Sequence, residues 1–161
     1  MLISDKINAA FNAQIGHEFY NSNLYLAAAS YFDGESLKGL AKFYFKQADE
    51  ERTHGMKFVH FILEAGGKVE VPAVPVPPST FKSAEEVAQL AYDTEIYTTD
   101  LIYSLVALAT EEKNYIAQNF LQWFVSEQLE EVSTAQTNLD VIKKAGPSLL
   151  TVEAYLAHAN K

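Results

Sequence analysis

The sequence contains a single Glu-x-x-His pair, formed by Glu51 and His54. Residues three positions apart on a helix lie on one face, about one turn from each other. A carboxylate and an imidazole held in this way can bind a divalent transition metal together. The pair alone is a weak signal, because glutamate and histidine at this spacing are also common on solvated helix faces. Its interpretation as a metal site depends on whether other helices bring ligands to the same place.

Composition excludes several other chemistries. The 161 residues carry a formal net charge of −9 and no cluster of Lys and Arg, so cations are better partners than nucleic acid. The absence of cysteine excludes disulfides, cysteine zinc sites and thiol chemistry. No apolar run reaches membrane-spanning length, and the N-terminus lacks the pattern of a signal peptide. We therefore expect a cytoplasmic protein without a membrane partner.

Helix start and stop signals divide the chain into four long helices and a short fifth helix. The expected helices cover about residues 4–32, 36–65, 83–111, 114–145 and 149–160. Ser4 and the Ser-x-x-Glu box that begins at Ser83 are start signals. Gly34, Gly66 and Gly146 are stop signals.

The segment between the second and third helices, residues 66–83, contains the run Val-Pro-Ala-Val-Pro-Val-Pro-Pro. Proline at this density forbids a helix and favours a stiff, extended chain. Eighteen extended residues span about 59 Å, whereas helices of this length measure about 42–48 Å. The segment can therefore run the length of the molecule and set the second and third helices parallel. The sequence predicts one all-α domain over residues 1–161: a four-helix bundle with a long crossover and a short fifth C-terminal helix.

Each long helix has a mostly apolar seam, read in alternating steps of three and four, with polar residues near its middle. Glu18 and Glu51 lie 16 and 17 residues on either side of the first turn, and Glu95 and Gln128 lie 17 and 16 residues on either side of the second. Each residue is then about 24–26 Å from its own turn. Alternatively, the polar residues align by chance, since the chain has 21 acidic residues. Agreement among four helices instead predicts one polar layer inside the bundle.

The predicted layer offers four carboxylates, one imidazole and one amide as metal ligands. They belong to Glu18, Glu51, His54, Glu95, Gln128 and Glu131. Buried carboxylates are unfavourable unless they are paired or bound to metal. This ligand set suits iron or manganese better than copper, and four carboxylates nearly balance two divalent ions. Glu51 is the best candidate to bridge two ions, because His54 lies one turn away.

Further motifs surround these ligands. They are Tyr25 after Glu18, the run Glu51-Arg52-Thr53-His54, and the run Phe120-Leu121-Gln122-Trp123-Phe124-Val125-Ser126-Glu127-Gln128-Leu129-Glu130-Glu131. With these motifs the chain resembles the non-haem bacterial ferritins, members of the ferritin-like di-iron superfamily, over almost its whole length.

The resemblance implies roles for particular residues. Glu18, Glu51 and His54 would bind one iron, and Glu51, Glu95 and Glu131 the second. The carboxylates of a third iron position would be Glu50, Glu127, Glu130 and Glu131. Tyr25 and Trp123 resemble the aromatic residues beside the centre, although Trp123 has an equally good interpretation as a packing residue. The other histidines, His17, His60 and His158, are expected on the surface or in packing contacts.

The resemblance also implies a function. It is ferroxidase activity and iron storage, in which Fe(II) is oxidised by dioxygen or hydrogen peroxide and Fe(III) mineralises inside a homo-oligomeric shell of 24 subunits. Arg52 occupies the position of the haem-ligating methionine of bacterioferritins, so no haem is expected. Rubrerythrins need cysteines that this chain lacks.

Two other functions remain open at the level of sequence. One is a di-iron oxygenase or peroxidase that acts on another substrate, although such sites usually carry a second Glu-x-x-His where this chain has Gln128-x-x-Glu131. The other is a bundle that assembles or scavenges metal without catalysis. Turnover of an organic substrate would favour the first, and iron oxidation no faster than in buffer would favour the second.

Overall fold

The computed structural model describes residues 1–159. Within that range the helices are α1 (Asp5–Gly34), α2 (Lys38–Glu64), α3 (Ala84–Glu111), α4 (Tyr115–Ala145) and α5 (Leu149–Ala159). The predicted all-α bundle with a short fifth helix is confirmed, and Asn160, the predicted end of α5, lies outside the described residues. Among residues 1–159, no helix combines the length and the apolar character needed to cross a membrane.

Three of the long helices begin with a side-chain cap. The hydroxyl of Ser4 accepts a hydrogen bond from the Ile7 N–H at 3.1 Å, and that of Ser83 accepts one from the Glu86 N–H at 3.1 Å. The side-chain oxygen of Asn114 accepts one from the Ala117 N–H at 3.0 Å. Such caps satisfy N–H groups that have no partner inside the helix.

The start of α2 is capped from a distance instead. Leu37 occupies the cap position and offers no side-chain acceptor. The carboxylate of Glu153 in α5 accepts hydrogen bonds from the Gly39 and Leu40 N–H groups at 2.6 and 2.9 Å. A negative charge at a helix N-terminus is favourable, so this contact fastens α5 to α2.

Neither α1 nor α3 ends with a glycine in the left-handed conformation, although Gly34 was the predicted stop of α1. Gly34 is the last residue of α1, but the left-handed conformation lies two residues later, at Ser36 with φ 63°. Lys113 takes the same conformation after α3, with φ 53°. In both turns a backbone N–H reaches the carbonyl five residues earlier, from Leu37 to Phe32 and from Asn114 to Ala109. These bonds satisfy the last carbonyls of the helix and hold a conformation that non-glycine residues rarely adopt.

The extended crossover runs along α1. Asn8 and Asn12 pair with its backbone at Lys68 and Glu70 through hydrogen bonds of 2.7–3.1 Å. Near its other end, the Phe81 ring packs against Tyr31 of α1. The segment therefore follows α1 over most of its length, and α2 and α3 are parallel as predicted.

The apolar core consists of two clusters separated along the bundle. One surrounds Phe32 and Tyr44, near the turn between α1 and α2 and against α5. The other surrounds Phe11, Phe58 and Phe124, near the opposite end. The polar seam residues occupy the layer between them, so a rigid apolar core supports that layer on both sides.

Candidate metal centre

All six predicted ligands of the layer are buried. Their side chains are between 1% and 6% exposed: Glu18, Glu51, His54, Glu95, Gln128 and Glu131. They come from all four long helices, and the 3.5-residue period of each seam turns them inward. The structure therefore brings the candidate ligands together in the interior.

Each of the four buried carboxylates accepts a hydrogen bond from a neutral side chain. Gln14 donates to Glu18 at 2.8 Å, and Asn21 donates to Glu51 at 3.3 Å. Gln47 donates to Glu131 at 2.8 Å. Glu95 accepts hydrogen bonds from the Tyr25 hydroxyl and, at 3.2 Å, from the amide of Gln128. These partners orient the carboxylates without neutralising them.

Three of these donors occupy polar seam positions to which the sequence predictions gave no role. They are Gln14, Asn21 and Gln47. The sequence could have predicted these contacts, because an amide at a seam position beside a buried carboxylate has to find a hydrogen-bond partner there.

The electrostatics of the layer favour a cation. Within residues 1–159, no Lys or Arg lies within ion-pair distance of Glu18, Glu51, Glu95 or Glu131. Burial raises the pKa of Glu18 to about 7 and that of Glu131 to about 8. Burial and the neighbouring charge of Glu95 hold the pKa of Glu51 well above its usual value. Without metal these groups therefore keep protons that a bound cation would displace.

The ligand atoms of Glu18, Glu51 and His54 all lie within 4.8 Å of one another. His54 Nδ1 lies 3.7 Å from Glu51 Oε1, and the second oxygen of Glu18 has no hydrogen-bond partner. Burial lowers the pKa of His54 to about 4, so its imidazole is neutral near pH 7 and free to bind a metal. The three groups can hold one divalent ion.

A second group of ligands adjoins the first. His54 Nε2 lies 3.5 Å from Glu127 Oε1, and the ligand atoms of His54, Glu127 and Glu131 also lie within 4.8 Å of one another. Sequence reasoning placed Glu127 beside Glu50 and Glu130 but did not expect it to approach His54. The structure makes Glu127 the half-buried link between the layer and the α2/α4 surface.

The carboxylates predicted for a third iron position meet at that surface. A cavity of about 1120 Å³ is lined by Glu50, Glu127, Glu130 and Glu131. Lys46 forms an ion pair with Glu50 at 2.9 Å. Burial, followed by the charges of Glu130 and Glu50, raises the pKa of Glu127. Lys38, Lys42 and Lys46 line the same cavity, but carboxylates outnumber them, and we call it the acidic opening.

The two aromatic residues of the prediction have different surroundings. Tyr25 is buried and donates to Glu95, so it touches a predicted ligand directly. Trp123 is 39% exposed and its ring lies 5.4 Å from that of His54. The ammonium of Lys57 lies 4.1 Å from the centre of the Trp123 ring. Trp123 shields His54 from solvent, a packing contact that also places it beside the site.

The remaining histidines lie apart from both groups of ligands. His60 and His158 are exposed. His17 is partly buried and contacts the Thr98 hydroxyl at 2.7 Å, with its ring against Tyr97. Burial lowers the pKa of His17 to about 4.

Known proteins resemble this chain over nearly its whole length. Residues 8–145 match the sequence model of the ferritin-like domain. The chain is 36% identical over 154 residues to the bacterial non-heme ferritin of Staphylococcus haemolyticus, covering 96% of this chain and 93% of that protein. It is 38% identical over 152 residues to ferritin BfrB of Mycobacterium tuberculosis, covering 94% and 84%. An open pore ferritin from the hyperthermophilic archaeon Archaeoglobus fulgidus superimposes with a TM-score of 0.93 at 39% identity, covering 96% of each chain.

Proposed function

The chain belongs to the ferritin family, and from that premise we propose that it stores iron by oxidising Fe(II) at the buried layer and retaining the Fe(III). The observation that carries the proposal is the set of four buried carboxylates, oriented by neutral donors and without a Lys or Arg partner in residues 1–159. Such a set is unfavourable in the interior unless cations bind there.

In this proposal two overlapping sets of residues bind two ferrous ions. Glu18, Glu51 and His54 bind one ion, while Glu51, Glu95 and Glu131 bind the other, with Gln128 alongside. We propose Glu51 as the shared ligand because it lies 3.7 Å from His54 and is close enough to Glu95 for the charge of Glu95 to raise its pKa. Tyr25 holds the Glu95 carboxylate in place through its hydroxyl.

The oxidation balances with the protons that the layer supplies. Each ferrous ion gives up one electron, and dioxygen accepts two electrons and two protons to form hydrogen peroxide. Carboxyl groups with raised pKa release protons when the cations bind, so protons are available where oxygen is reduced. The chain positions the iron and the protons, and the metal supplies the redox chemistry.

Storage requires that the oxidised iron leave the layer. Gln128 is a weaker ligand than a carboxylate, and Glu127 connects His54 to the acidic opening of Glu50 and Glu130. We propose that these carboxylates form a third iron position through which the product passes to the interior of a cytoplasmic shell of 24 copies.

The experiment that tests the function compares Fe(II) oxidation with and without the protein. Stopped-flow absorbance should show oxidation much faster than in buffer, and the protein should retain many iron atoms per subunit after gel filtration. Oxidation no faster than in buffer would favour a non-catalytic bundle. Oxygen-dependent turnover of an organic compound with a reductase, without iron retention, would favour an oxygenase.

Light scattering coupled to size exclusion tests the shell. A mass of many subunits is expected, and a monomer or simple dimer at working concentration would contradict storage. Purification with added haem should give no Soret band, because Arg52 carries no thioether to bind haem iron. A stoichiometric band would refute that part of the proposal.

A further inference from the structure

A network of neutral side chains lies on the α1/α3 side of the buried layer and reaches one of the predicted ligands. It consists of His17 and Asn21 of α1 and Thr98 of α3. Asn21 and Thr98 are 0% and 2% exposed, and His17 is partly buried. His17 and Asn21 also line a cavity of about 630 Å³ between α1, α3 and the proline-rich crossover. The network is therefore built into the interior of the fold, and none of its members is a predicted ligand.

The hydrogen bonds of this network follow from the protons that each group carries. The Thr98 hydroxyl donates its one proton to the Thr94 carbonyl at 2.9 Å. It therefore accepts from Asn21 Nδ2 at 3.1 Å and from His17 Nε2 at 2.7 Å, which uses both of its lone pairs. Both nitrogens point to the same oxygen, which explains their approach to 3.3 Å. The other proton of Asn21 Nδ2 is left for Glu51 Oε2, at 3.3 Å.

The amide of Asn21 is oriented in favour of Glu51 and not of its own oxygen. Asn21 Oδ1 is buried and has no hydrogen-bond partner within residues 1–159, which is unfavourable. Turning the amide over would bring Oδ1 to Glu51, where a metal-binding carboxylate has no proton to donate. An apolar side chain of similar shape would avoid the unpaired acceptor altogether. Packing alone therefore does not account for an asparagine at this position.

Asn21 is held more firmly than two of the other donors in the layer. Gln14 and Gln47 each donate to one carboxylate through a longer side chain, and neither forms another side-chain hydrogen bond within residues 1–159. The Nδ2 of Asn21 is fixed from behind by Thr98, and the ring of His17 packs against Tyr97. The position of this amide is therefore determined by α3 as well as by α1.

The two oxygens of Glu51 face different neighbours. Oε1 lies 3.7 Å from His54 Nδ1, and Oε2 accepts the hydrogen bond from Asn21. A hydrogen bond to one oxygen restricts rotation of the carboxylate, and a lone pair of Oε2 remains to bind a cation. The amide therefore fixes the direction in which both oxygens of Glu51 point.

We propose that Asn21, held by Thr98 and His17, is a positioning residue that sets the orientation of the Glu51 carboxylate for binding two metal ions. The proposal rests on the proposed function, in which Glu51 is the ligand shared by both ions, and adds the residue that orients that ligand. Because the donor is neutral, Glu51 keeps its full negative charge for the metal. Loss of a supporting partner of this kind typically lowers metal affinity by about 10–100-fold.

Co(II) binding under nitrogen, followed by visible absorption, tests the positioning role without any oxidation step. Asn21→Leu replaces the amide by an apolar side chain of similar shape. Its Co(II) dissociation constant should rise by roughly 10–100-fold, and the absorption spectrum of bound Co(II) should change because Glu51 can then rotate. Wild-type affinity and spectrum in Asn21→Leu would overturn the proposal.

Asn12→Leu is the matched control, since Asn12 is another buried asparagine of α1. Its side chain bonds to the crossover backbone at Lys68 and Glu70 and to no predicted ligand. This variant should unfold at lower urea concentration than wild type and bind Co(II) normally. Asn21→Leu should show the reverse, with an unfolding midpoint near wild type because it also removes an unpaired acceptor. An equal loss of Co(II) affinity in both variants would make the effect one of general stability and overturn the proposal.

Two substitutions of Thr98 test the support behind Asn21. Thr98→Val keeps the shape of threonine but has no oxygen to accept from Asn21, whereas Thr98→Ser keeps the hydroxyl. We expect Thr98→Val to raise the Co(II) dissociation constant by a smaller factor than Asn21→Leu, and Thr98→Ser to bind Co(II) as wild type does. Equal affinity in Thr98→Val and wild type would overturn the role given to Thr98.

The same measurements separate this proposal from the proposed function. Wild-type protein that binds Co(II) but oxidises Fe(II) no faster than buffer would contradict the proposed function, while a loss of affinity confined to the Asn21 and Thr98→Val variants would still support the positioning role. Wild-type protein that binds no Co(II) would overturn both.

Discussion

The two sides of the buried carboxylate layer face solvent with different chemistry. On the α2/α4 side, Glu50, Glu127 and Glu130 surround a large opening, and Glu127 contacts His54. On the α1/α3 side, Asn21 and His17 present neutral groups beneath a proline-rich wall. Negative charge concentrates cations and neutral polarity does not. The comparison teaches that the helices on each side decide what the buried layer has beside it: charged side chains from α2 and α4, and largely apolar and neutral ones from α1, α3 and the crossover.

Removal of Glu51, a predicted ligand with neighbours on both sides of the buried layer, should lower the rate of Fe(II) oxidation more than any other substitution considered. Glu51 contacts Asn21 on one side and lies 3.7 Å from His54 on the other. We expect Glu51→Ala and His54→Ala each to lower the initial rate of Fe(II) oxidation by about 100-fold or more, since loss of a supporting residue alone commonly causes about 10–100-fold.

The matched control is Glu64→Ala, an exposed glutamate of the same helix. Circular dichroism should show all three variants folded, because removal of a buried carboxylate that has no cationic partner does not leave an opposite charge unpaired. Wild-type oxidation rates in a folded Glu51 or His54 variant would refute the ligand assignment.

Substitutions on the two surfaces should separate the roles of the sides. We expect Glu50→Ala, Glu127→Ala and Glu130→Ala each to preserve the first rapid oxidation of two irons. They should change the iron consumed per dioxygen or the recovery of activity between additions, because the proposed function has product leave through these carboxylates. Stopped-flow absorbance with repeated Fe(II) additions measures both quantities.

Asp93→Ala is the control for that series, since Asp93 is a carboxylate on the α1/α3 side. It should match wild type in stoichiometry and recovery. If the three α2/α4 variants also match wild type in both, the third position has no role and those carboxylates serve only as surface residues.

The polar layer could be predicted because its cause is local in sequence. Seam spacing fixes which side chains turn inward, and equal distances from two turns place Glu18, Glu51, Glu95 and Gln128 at one height. The extended crossover followed from proline density in the same way. The layer depends on helix geometry and the crossover on the restricted backbone of proline, so neither prediction needed knowledge of distant contacts.

Two of the remaining features depend on contacts between distant residues, and two on helix ends that lack glycine. Glu153 caps a helix that begins more than 110 positions earlier. Glu127 approaches His54 because of the distance between α2 and α4, which no helical period specifies. Ser36 and Lys113 adopt left-handed conformations that sequence assigns to glycine or asparagine. Tertiary packing decides the roles of Glu153 and Glu127, whereas the conformations of Ser36 and Lys113 accompany local backbone hydrogen bonds at the helix ends.

The pH dependence of the metal-free protein tests the electrostatics of the layer. The folded state raises the pKa of Glu18 to about 7 and that of Glu131 to about 8. A raised carboxyl pKa gives stability that is present below the unfolded value and is lost as the pH rises through the folded value. His17 and His54, with pKa lowered to about 4, give a slope of the opposite sign, which fades above pH 6.5 as the unfolded histidines lose their protons.

We therefore expect the free energy of unfolding to fall between pH 6.5 and 8, by about 1.4 kcal/mol per pH unit for each proton that differs between the two states. Denaturant titration of apo protein measures it, and Glu131→Gln should flatten the curve. Saturating Co(II) should reverse the slope, because the cation then competes with the same protons. A flat apo curve would contradict the raised pKa values.

The smallest effect concerns a carboxylate on the acidic side that serves the fold. Glu153 lines the same opening as Glu50 and Glu130, but both of its oxygens accept hydrogen bonds from the start of α2. Glu153→Ala should lower the free energy of unfolding by about 0.5–2 kcal/mol, as for other lost helix caps, and leave iron stoichiometry unchanged. Glu130→Ala should give the opposite pair of results, with altered recovery of oxidation and unchanged stability, because Glu130 is exposed and caps no helix. Denaturant titration of both variants measures the free energy of unfolding, and repeated Fe(II) additions measure the recovery of oxidation. If Glu153→Ala changed recovery as Glu130→Ala does, charge alone would define the α2/α4 side, and the distinction between its structural and iron-handling carboxylates would fail.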